Sequence, residues 1–343
     1  MQSPKSYNTP FTILCLVMIL CFVVNISLGS VAIPFVETLK SIFNEPTTHE
    51  AWSYIIWNYR IPKALTAVLV GSGLALSGLL MQTLFRNPLA GPFVLGISSG
   101  ASLGAALLIM GSSLFSGIFT FGLVNDVTLA IVSSIGSFLV LLAVMAVASK
   151  VKDTMALLII GLMFGSITAA VVSVLSYFTN AEKLQQYIYW SFGSLGNLSW
   201  SQLGLLFVIL TIGLLLSIAA IKSLNAMLLG ENYARSLGVD IIKKRFLIIL
   251  ATGLLAGGIT AFAGPIAFVG LAVPHLTRQI FNTTDHKILV PAVLLYGAIL
   301  MLVCDTIAQL PTSANVLPIN AITSIIGAPV VIWLLVRKRN MIF

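Results

Sequence analysis

Charge is what this sequence has least of. Only 8% of its 343 residues are Asp, Glu, Lys or Arg, while 58% are hydrophobic. A soluble domain carries about 25% charged residues, and a water-soluble globule this apolar could not cover itself with polar surface. Cysteine is equally scarce. Cys15, Cys21 and Cys304 all lie in apolar runs and none forms a CxxC pair, so they indicate neither a metal nor a redox compartment. Histidine occurs three times; His275 and His286 stand eleven apart without a cysteine, which is no zinc set, and His49 is alone. The GxxxxGK[ST] phosphate loop is missing, which excludes an ATP-binding subunit of that type. No Ser/His/Asp arrangement of catalytic kind can be picked out. Basic patches interleaved with aromatics, as nucleic acid would require, are absent as well. The sequence therefore predicts no catalytic residues, no metal and no cofactor bound by this chain.

Long apolar runs are what it does have. Ten segments stand out, near 11–33, 60–84, 93–110, 126–148, 154–178, 202–221, 245–263, 265–280, 288–310 and 318–336. A bilayer core needs roughly 20 apolar residues per helical crossing, so the predicted fold is an all-α polytopic membrane protein of about ten transmembrane helices, a single transmembrane domain over 1–343. Residues 1–33 also resemble a signal peptide, with Lys5 ahead of an apolar core, but that core is longer than a usual leader. Residues 179–201, with Trp190, Phe192 and Trp200, predict a short amphipathic helix at the membrane surface, where aromatic rings favour the headgroups.

The net charge of +8 is distributed unevenly. With the N-terminus inside, Lys5, Arg86, Lys150, Lys152, Lys222, Arg235, Lys243, Lys244, Arg245, Arg278, Lys287, Arg337, Lys338 and Arg339 fall on the inner side. Only Lys40, Arg60, Lys63 and Lys183 fall outside. That asymmetry predicts both termini in the cytoplasm and an even number of crossings, in the plasma or inner membrane.

Two segments echo each other. Leu89-Ala90-Gly91-Pro92 parallels Phe262-Ala263-Gly264-Pro265, and each precedes a short Gly-rich apolar helix, the first break on the inner face and the second on the outer. Paired units of opposite orientation mark an inverted repeat, here roughly 60–178 and 245–336, and interrupted segments of this kind commonly border a transport path.

More specific stretches follow one another in order: Arg60-Ile61-Pro62-Lys63, Leu76-Ser77-Gly78, Met81-Gln82, Arg86-Asn87-Pro88-Leu89-Ala90-Gly91-Pro92, and Leu95-Gly96-Ile97-Ser98-Ser99-Gly100-Ala101. Later come Gly264-Pro265-Ile266-Ala267-Phe268-Val269-Gly270-Leu271, Val273-Pro274-His275-Leu276-Thr277-Arg278, Asp285-His286, Leu317-Pro318-Ile319 and Gly327-Ala328-Pro329. Over about 55 to 340 this resembles the FecCD-type permease family of ABC importers, which carry iron–siderophores, haem or cobalamin. The resemblance implies a dimer of ten-helix subunits, identical or paralogous, with the path at their interface. It also implies two cytoplasmic ATP-binding subunits that hold ATP and Mg, and an extracytoplasmic substrate-binding protein. The chain itself would be no enzyme. Among cargoes, iron–siderophore comes first, then haem, then cobalamin. An ion-gradient-driven secondary transporter is the alternative reading, but it usually needs ionisable groups near the midplane, and the charges here sit at the ends of spans.

Site expectations follow. Gly230, Glu231, Ala234, Arg235, Ser236, Leu237 and Gly238 form a short cytoplasmic helix, with an acid at its positive end and a glycine suited to the left-handed residue after it. The resemblance implies that this is the helix that couples to the ATPase. Arg60 and Lys63, at the outer mouth, are implied to dock acidic residues of the binding protein. Gly71, Ala75, Gly78, Gly96, Ser98, Ser99 and Gly100 are expected to wall a weakly polar path. Asp305, near the outer end of its span, reads as a helix-end hydrogen-bonding residue, and His275 and His286 as inner-face residues near the ATPase. The family usually has Arg at the position of Gln309, an acid at Val316 and Gly at Asn320.

Overall fold

The computed structural model describes residues 7–111, 125–148, 150–151, 154–310, 313 and 315–336. Lys5, Lys152, Arg337, Lys338 and Arg339 of the predicted inner charges lie outside these. Among the described residues the regular structure is entirely helical. The helices are α1 (Asn8–Ser27), α2 (Phe35–Ile42), α3 (Glu50–Leu84), α4 (Ile97–Ile109), α5 (Asp126–Ala148), α6 (Thr154–Phe178), α7 (Ala181–Ser191), α8 (Trp200–Leu228), α9 (Glu231–Ser236), α10 (Ile241–Ala263), α11 (Val269–Phe281), α12 (His286–Ala308) and α13 (Ile319–Val336). Seven are long and apolar enough to cross a membrane: α1, α3, α5, α6, α8, α10 and α12. With the shorter α4, α11 and α13 they account for the ten expected segments.

Boundaries moved where local chemistry outweighs hydropathy. The first helix stops at Ser27, because Gly29, Ser30 and Pro34 break the apolar run. The third helix begins at Glu50, ten residues ahead of the expected start, and passes through a π turn at Ile56–Arg60. That leading stretch is polar and aromatic, so hydropathy alone overlooks it. Lys243, Lys244 and Arg245 similarly hide the start of α10. The predicted surface helix is α7, capped by Asn180, whose side chain accepts from the Lys183 N–H.

Helix α3 is the centre of the bundle, with 78% of its apolar window buried, followed by α10 with 72%. It packs on α12, α11, α8 and α10. Lipid offers no hydrophobic drive for helix association, so close van der Waals packing must supply it. The α3 sequence meets that need with Ala64, Ala67, Gly71, Gly73, Ala75 and Gly78, all buried. At Gly78 a Cβ would overlap the Gly270 carbonyl oxygen, so the backbones of α3 and α11 touch there.

The two Gly-Pro breaks hold matching places in the order of helices, though their backbones differ: a 3-10 turn, Pro92–Leu95, fills the first and none fills the second. Each separates a central helix from a helix of 13 residues, α3 from α4 and α10 from α11. The first break follows the end of α3 that carries Arg86 and ends at Gly96, against Gly161 of α6. The second follows the opposite end, near Trp190 and Gly193 of the α7 region. Gly264 (φ +74°) and Phe268 (φ +66°) turn the second break, and the Asn320 side chain accepts from the Ala267 N–H at 3.0 Å.

Candidate functional site

Polar groups gather at the two ends of the bundle. At the first end lies a cavity of about 490 Å³, with Asn25, Arg60, Lys63, Ser194, Asp305 and Gln309 among its lining residues. Asp305 is its hub. Its Oδ1 pairs with Lys63 Nζ at 3.1 Å, and its Oδ2 accepts from Asn25 Nδ2 at 2.9 Å and from Gln309 Nε2 at 2.7 Å. Asn25 also donates to Thr306 Oγ1 at 3.0 Å. One carboxylate thus joins α1, α3 and α12. Such a charge is tolerated inside a span because it is paired and hydrogen-bonded. Gln309, four residues on, gives Asp305 the local helix-end hydrogen bond that was expected, while Lys63 and Asn25 reach it from other helices.

Arg60 is placed otherwise than its expected docking role requires. The residue is 8% exposed. Nη1 donates to Ile26 O at 2.8 Å and Ser27 O at 2.7 Å, and Nη2 donates to Val31 O. These are the last carbonyls of α1 and the turn beyond it, groups that lack intrahelical partners and that a cation satisfies well. Arg60 staples the α1–α2 turn, and Lys63 directs its charge to Asp305. Two of the three departures from the family pattern have structural partners here: Gln309 holds Asp305, and Asn320 holds the break before α11.

The opposite end carries the predicted short helix, α9. Gly230 (φ +109°) leads into it and Gly238 (φ +82°) leaves it in the left-handed region, with Gly238 N–H donating to Arg235 O and Val239 N–H to Ala234 O. Only glycine enters such conformations without strain. Ala234 is buried, whereas Tyr233 and Leu237 are exposed. Sequence reasoning counted Arg245 merely as one inner charge. The structure places it beneath α9, 6% exposed, with Nη2 donating to Glu231 Oε1 at 2.9 Å and Nη1 to Val151 O at 3.2 Å. The short helix is thereby joined to α10 and to the turn after α5. Asp240 caps α10, and the Lys243 N–H and ammonium hold its carboxyl below the usual range.

His286 corrects a second expectation. It is not a surface residue of the inner face: it is fully buried between α3, α8 and α12. Its Nδ1 lies 2.6 Å from Asn225 Oδ1 and its Nε2 lies 2.8 Å from Thr83 Oγ1. Asn225 Oδ1 can only accept, so Nδ1 carries the hydrogen; the Thr83 hydroxyl stands between Nε2 and the Leu79 carbonyl, 2.9 Å away, and shares its one proton between them. Asn225 Nδ2 in turn donates to Asp285 at 2.6 Å. His275 is half-buried. Arg278 is also buried, donating to Gln82 Oε1 at 2.8 Å. No group of His, Cys, Asp and Glu able to hold a metal occurs among the described residues.

The expected path residues are corrected most. Gly71 meets Gly297, Gly78 meets Gly270, Gly96 meets Gly161 and Gly100 meets Gly136. Ala75 is fully buried, Ser98 is hydrogen-bonded with Thr260 at 3.2 Å, and Ser99 alone of the seven is half-buried. Small side chains in this protein mark where helices of one chain touch, and the same smallness had suggested a lumen wall.

The pattern of the FecCD transport family matches residues 16–337. Curated relatives include the vitamin B12 import system permease protein BtuC of Klebsiella pneumoniae, 38% identical over 83% of this chain and 83% of the relative. The protein of the same name from Salmonella typhi is 36% identical over 83% of this chain and 84% of its own. Among solved structures, one described as an inward-facing conformation of a metal-chelate type ABC transporter superposes with a TM-score of 0.83 at 30% identity, covering 97% of this chain and all of the other. PsaBC from Streptococcus pneumoniae, at a TM-score of 0.50 and 13% identity, shares the fold. The chain is a multi-pass membrane protein and belongs to the FecCD transport family.

Proposed function

We propose that this chain is the membrane-spanning permease subunit of a binding-protein-dependent ABC importer for a bulky metal chelate, with a corrinoid as the first cargo and an iron–siderophore or haem behind it. The observation that carries the reading is α9: a short helix bracketed by Gly230 and Gly238, with Tyr233 and, just past its end, Leu237 exposed, joined to the bundle through the pair of Glu231 with the buried Arg245. A motor gripping such a helix would move α10 with it as a rigid body. The relatives' names move cobalamin ahead of the order that the resemblance suggested. The Lys and Arg excess places the α9 end in the cytoplasm, and the Asp305 end then faces the binding protein. ATP and Mg would be held by two partner subunits.

The cargo path would run between this chain and a second permease subunit, identical or paralogous. The outward faces of α6 and α13 suit that contact. Each of these helices packs on its own short helix, α4 or α11, and leaves large side chains such as Ile159, Met163, Ile167, Ile325 and Ile332 exposed. The inverted repeat of 60–178 and 245–336 would relate those two walls.

Reconstitution in liposomes tests the reading. With the ATPase and binding protein encoded beside this chain, cobalamin-loaded binding protein should raise ATP turnover and drive cobalamin accumulation. Uptake that persists without ATP and collapses with the ion gradient would replace the importer by a secondary transporter. Stimulation by a ferric siderophore and not by cobalamin would keep the importer and change its cargo.

A further inference from the structure

At the α9 end a second cavity, of about 500 Å³, opens on the flank of the bundle between the end of α5 and the start of α10. Its walls are apolar: Met145 from α5, and Ile242, Phe246 and Ile249 from α10. Ile242 is 67% exposed and Phe246 51%. They stand four residues apart, so they lie on one face of α10. That helix runs on as the span Ile241–Ala263. Water is a poor solvent for such a face, whereas acyl chains suit it. The rim is cationic. Lys150 and Arg235 both line the cavity, both are exposed, and neither forms an ion pair among the described residues. The other charges at the rim are already matched: Arg245 with Glu231 at 2.9 Å and Asp240 with Lys243 at 3.2 Å.

We propose that this cavity is a binding site for an anionic phospholipid, its acyl chains along Ile242, Phe246 and Ile249 and its phosphate between Lys150 and Arg235. Apolar walls at the end of two spans, topped by two cations with no ion-pair partner among the described residues, reproduce the order of groups in a lipid molecule. Basic residues at a membrane surface attract anionic headgroups, each by roughly a factor of five. The inference rests on membrane insertion and on the cavity, and is independent of which cargo the chain carries.

The test uses the full-length chain with Phe246→Trp in nanodiscs of phosphatidylcholine containing phosphatidylglycerol, with brominated acyl chains on one lipid or the other. Wild-type chain supplies the background from the native tryptophans. At equal mole fraction, brominated phosphatidylglycerol should occupy the site at least about fivefold more than brominated phosphatidylcholine, as read from quenching of the introduced tryptophan. Lys150→Gln with Arg235→Gln should abolish the excess, while Lys150→Arg with Arg235→Lys should keep it. Unchanged quenching by brominated phosphatidylcholine in both variants reports an intact fold. Equal quenching by the two lipids, or an excess that survives the glutamine variant, overturns the proposal. Loss of all lipid quenching in the complex that co-purifies from native membranes also overturns it, because the groove is then covered by protein.

Discussion

The Lys63–Asp305 pair should be worth far more to this protein than a surface ion pair. The Asp305 side chain is 3% exposed and that of Lys63 19%. Asp305→Ala removes the acceptor of three donors, Lys63, Asn25 and Gln309. Breaking a buried pair from one side costs about 3–5 kcal/mol. Lys63 borders the cavity and can turn toward water there, so about 3 kcal/mol is the expected loss. Asp305→Asn, which keeps an oxygen but presents an amide to facing donors, should cost about 2 kcal/mol. Lys63→Met, which leaves Asp305 with two amide donors but no cation, should cost a similar amount. The double variant Lys63→Met/Asp305→Asn removes both charges and keeps the amide network. It should lie about 1–2 kcal/mol below wild type, which implies a coupling of about 2–3 kcal/mol, within the range for groups in one network. Titration with SDS in mixed micelles, followed by tryptophan fluorescence, measures all four corners of the cycle. Single losses below about 0.5 kcal/mol that simply add would refute the reasoning, since additivity to that margin means no interaction.

The remaining predictions concern coupling, packing, the buried His286 and one of the family departures. Glu231→Gln and Arg245→Lys should each leave the chain folded and lower transport per ATP hydrolysed in reconstituted liposomes, and the charge exchange Glu231→Arg/Arg245→Glu should recover part of the loss; equal falls in turnover and uptake would argue against a strut. Gly78→Ala places a methyl on the Gly270 carbonyl and should cost about 1–3 kcal/mol, lowering Tm and monodisperse yield. Gly204→Ala, with nothing within 4 Å of the new methyl, should be neutral or slightly stabilising. His286→Ala takes one hydrogen-bond partner each from Asn225 and Thr83, which keep others, and leaves a void where the buried imidazole stood; it should cost about 1–3 kcal/mol in the same micelle titration. Asn320→Gly, which restores the family residue, should remove the acceptor for Ala267 N–H and speed hydrogen exchange at that amide, with no change if the contact is incidental.

Much of this protein can be read from its sequence because membrane insertion is a local property. A run of about 20 apolar residues must be a helix in lipid, since no other partner exists for its backbone polar groups. The ten segments, the surface helix between Asn180 and Ser191, the two Gly-Pro breaks and the capped turn at Gly230–Gly238 were legible for that reason. So was the family, carried by ordered motifs from Arg60 to Pro329. What a side chain touches is not local. Arg60 and Lys63 share a sequence motif, yet one cation satisfies carbonyls at the end of α1 and the other meets Asp305, far away along the chain. Glycine signals close approach without saying to what, so a stripe of small residues on α3 read equally well as a lumen wall or a helix contact. His286 and Arg245 looked like surface charge until helices far apart in sequence closed over them. In a bilayer the hydrophobic pattern determines which segments cross, and only the packed bundle decides which polar groups find partners, because those partners come from other helices.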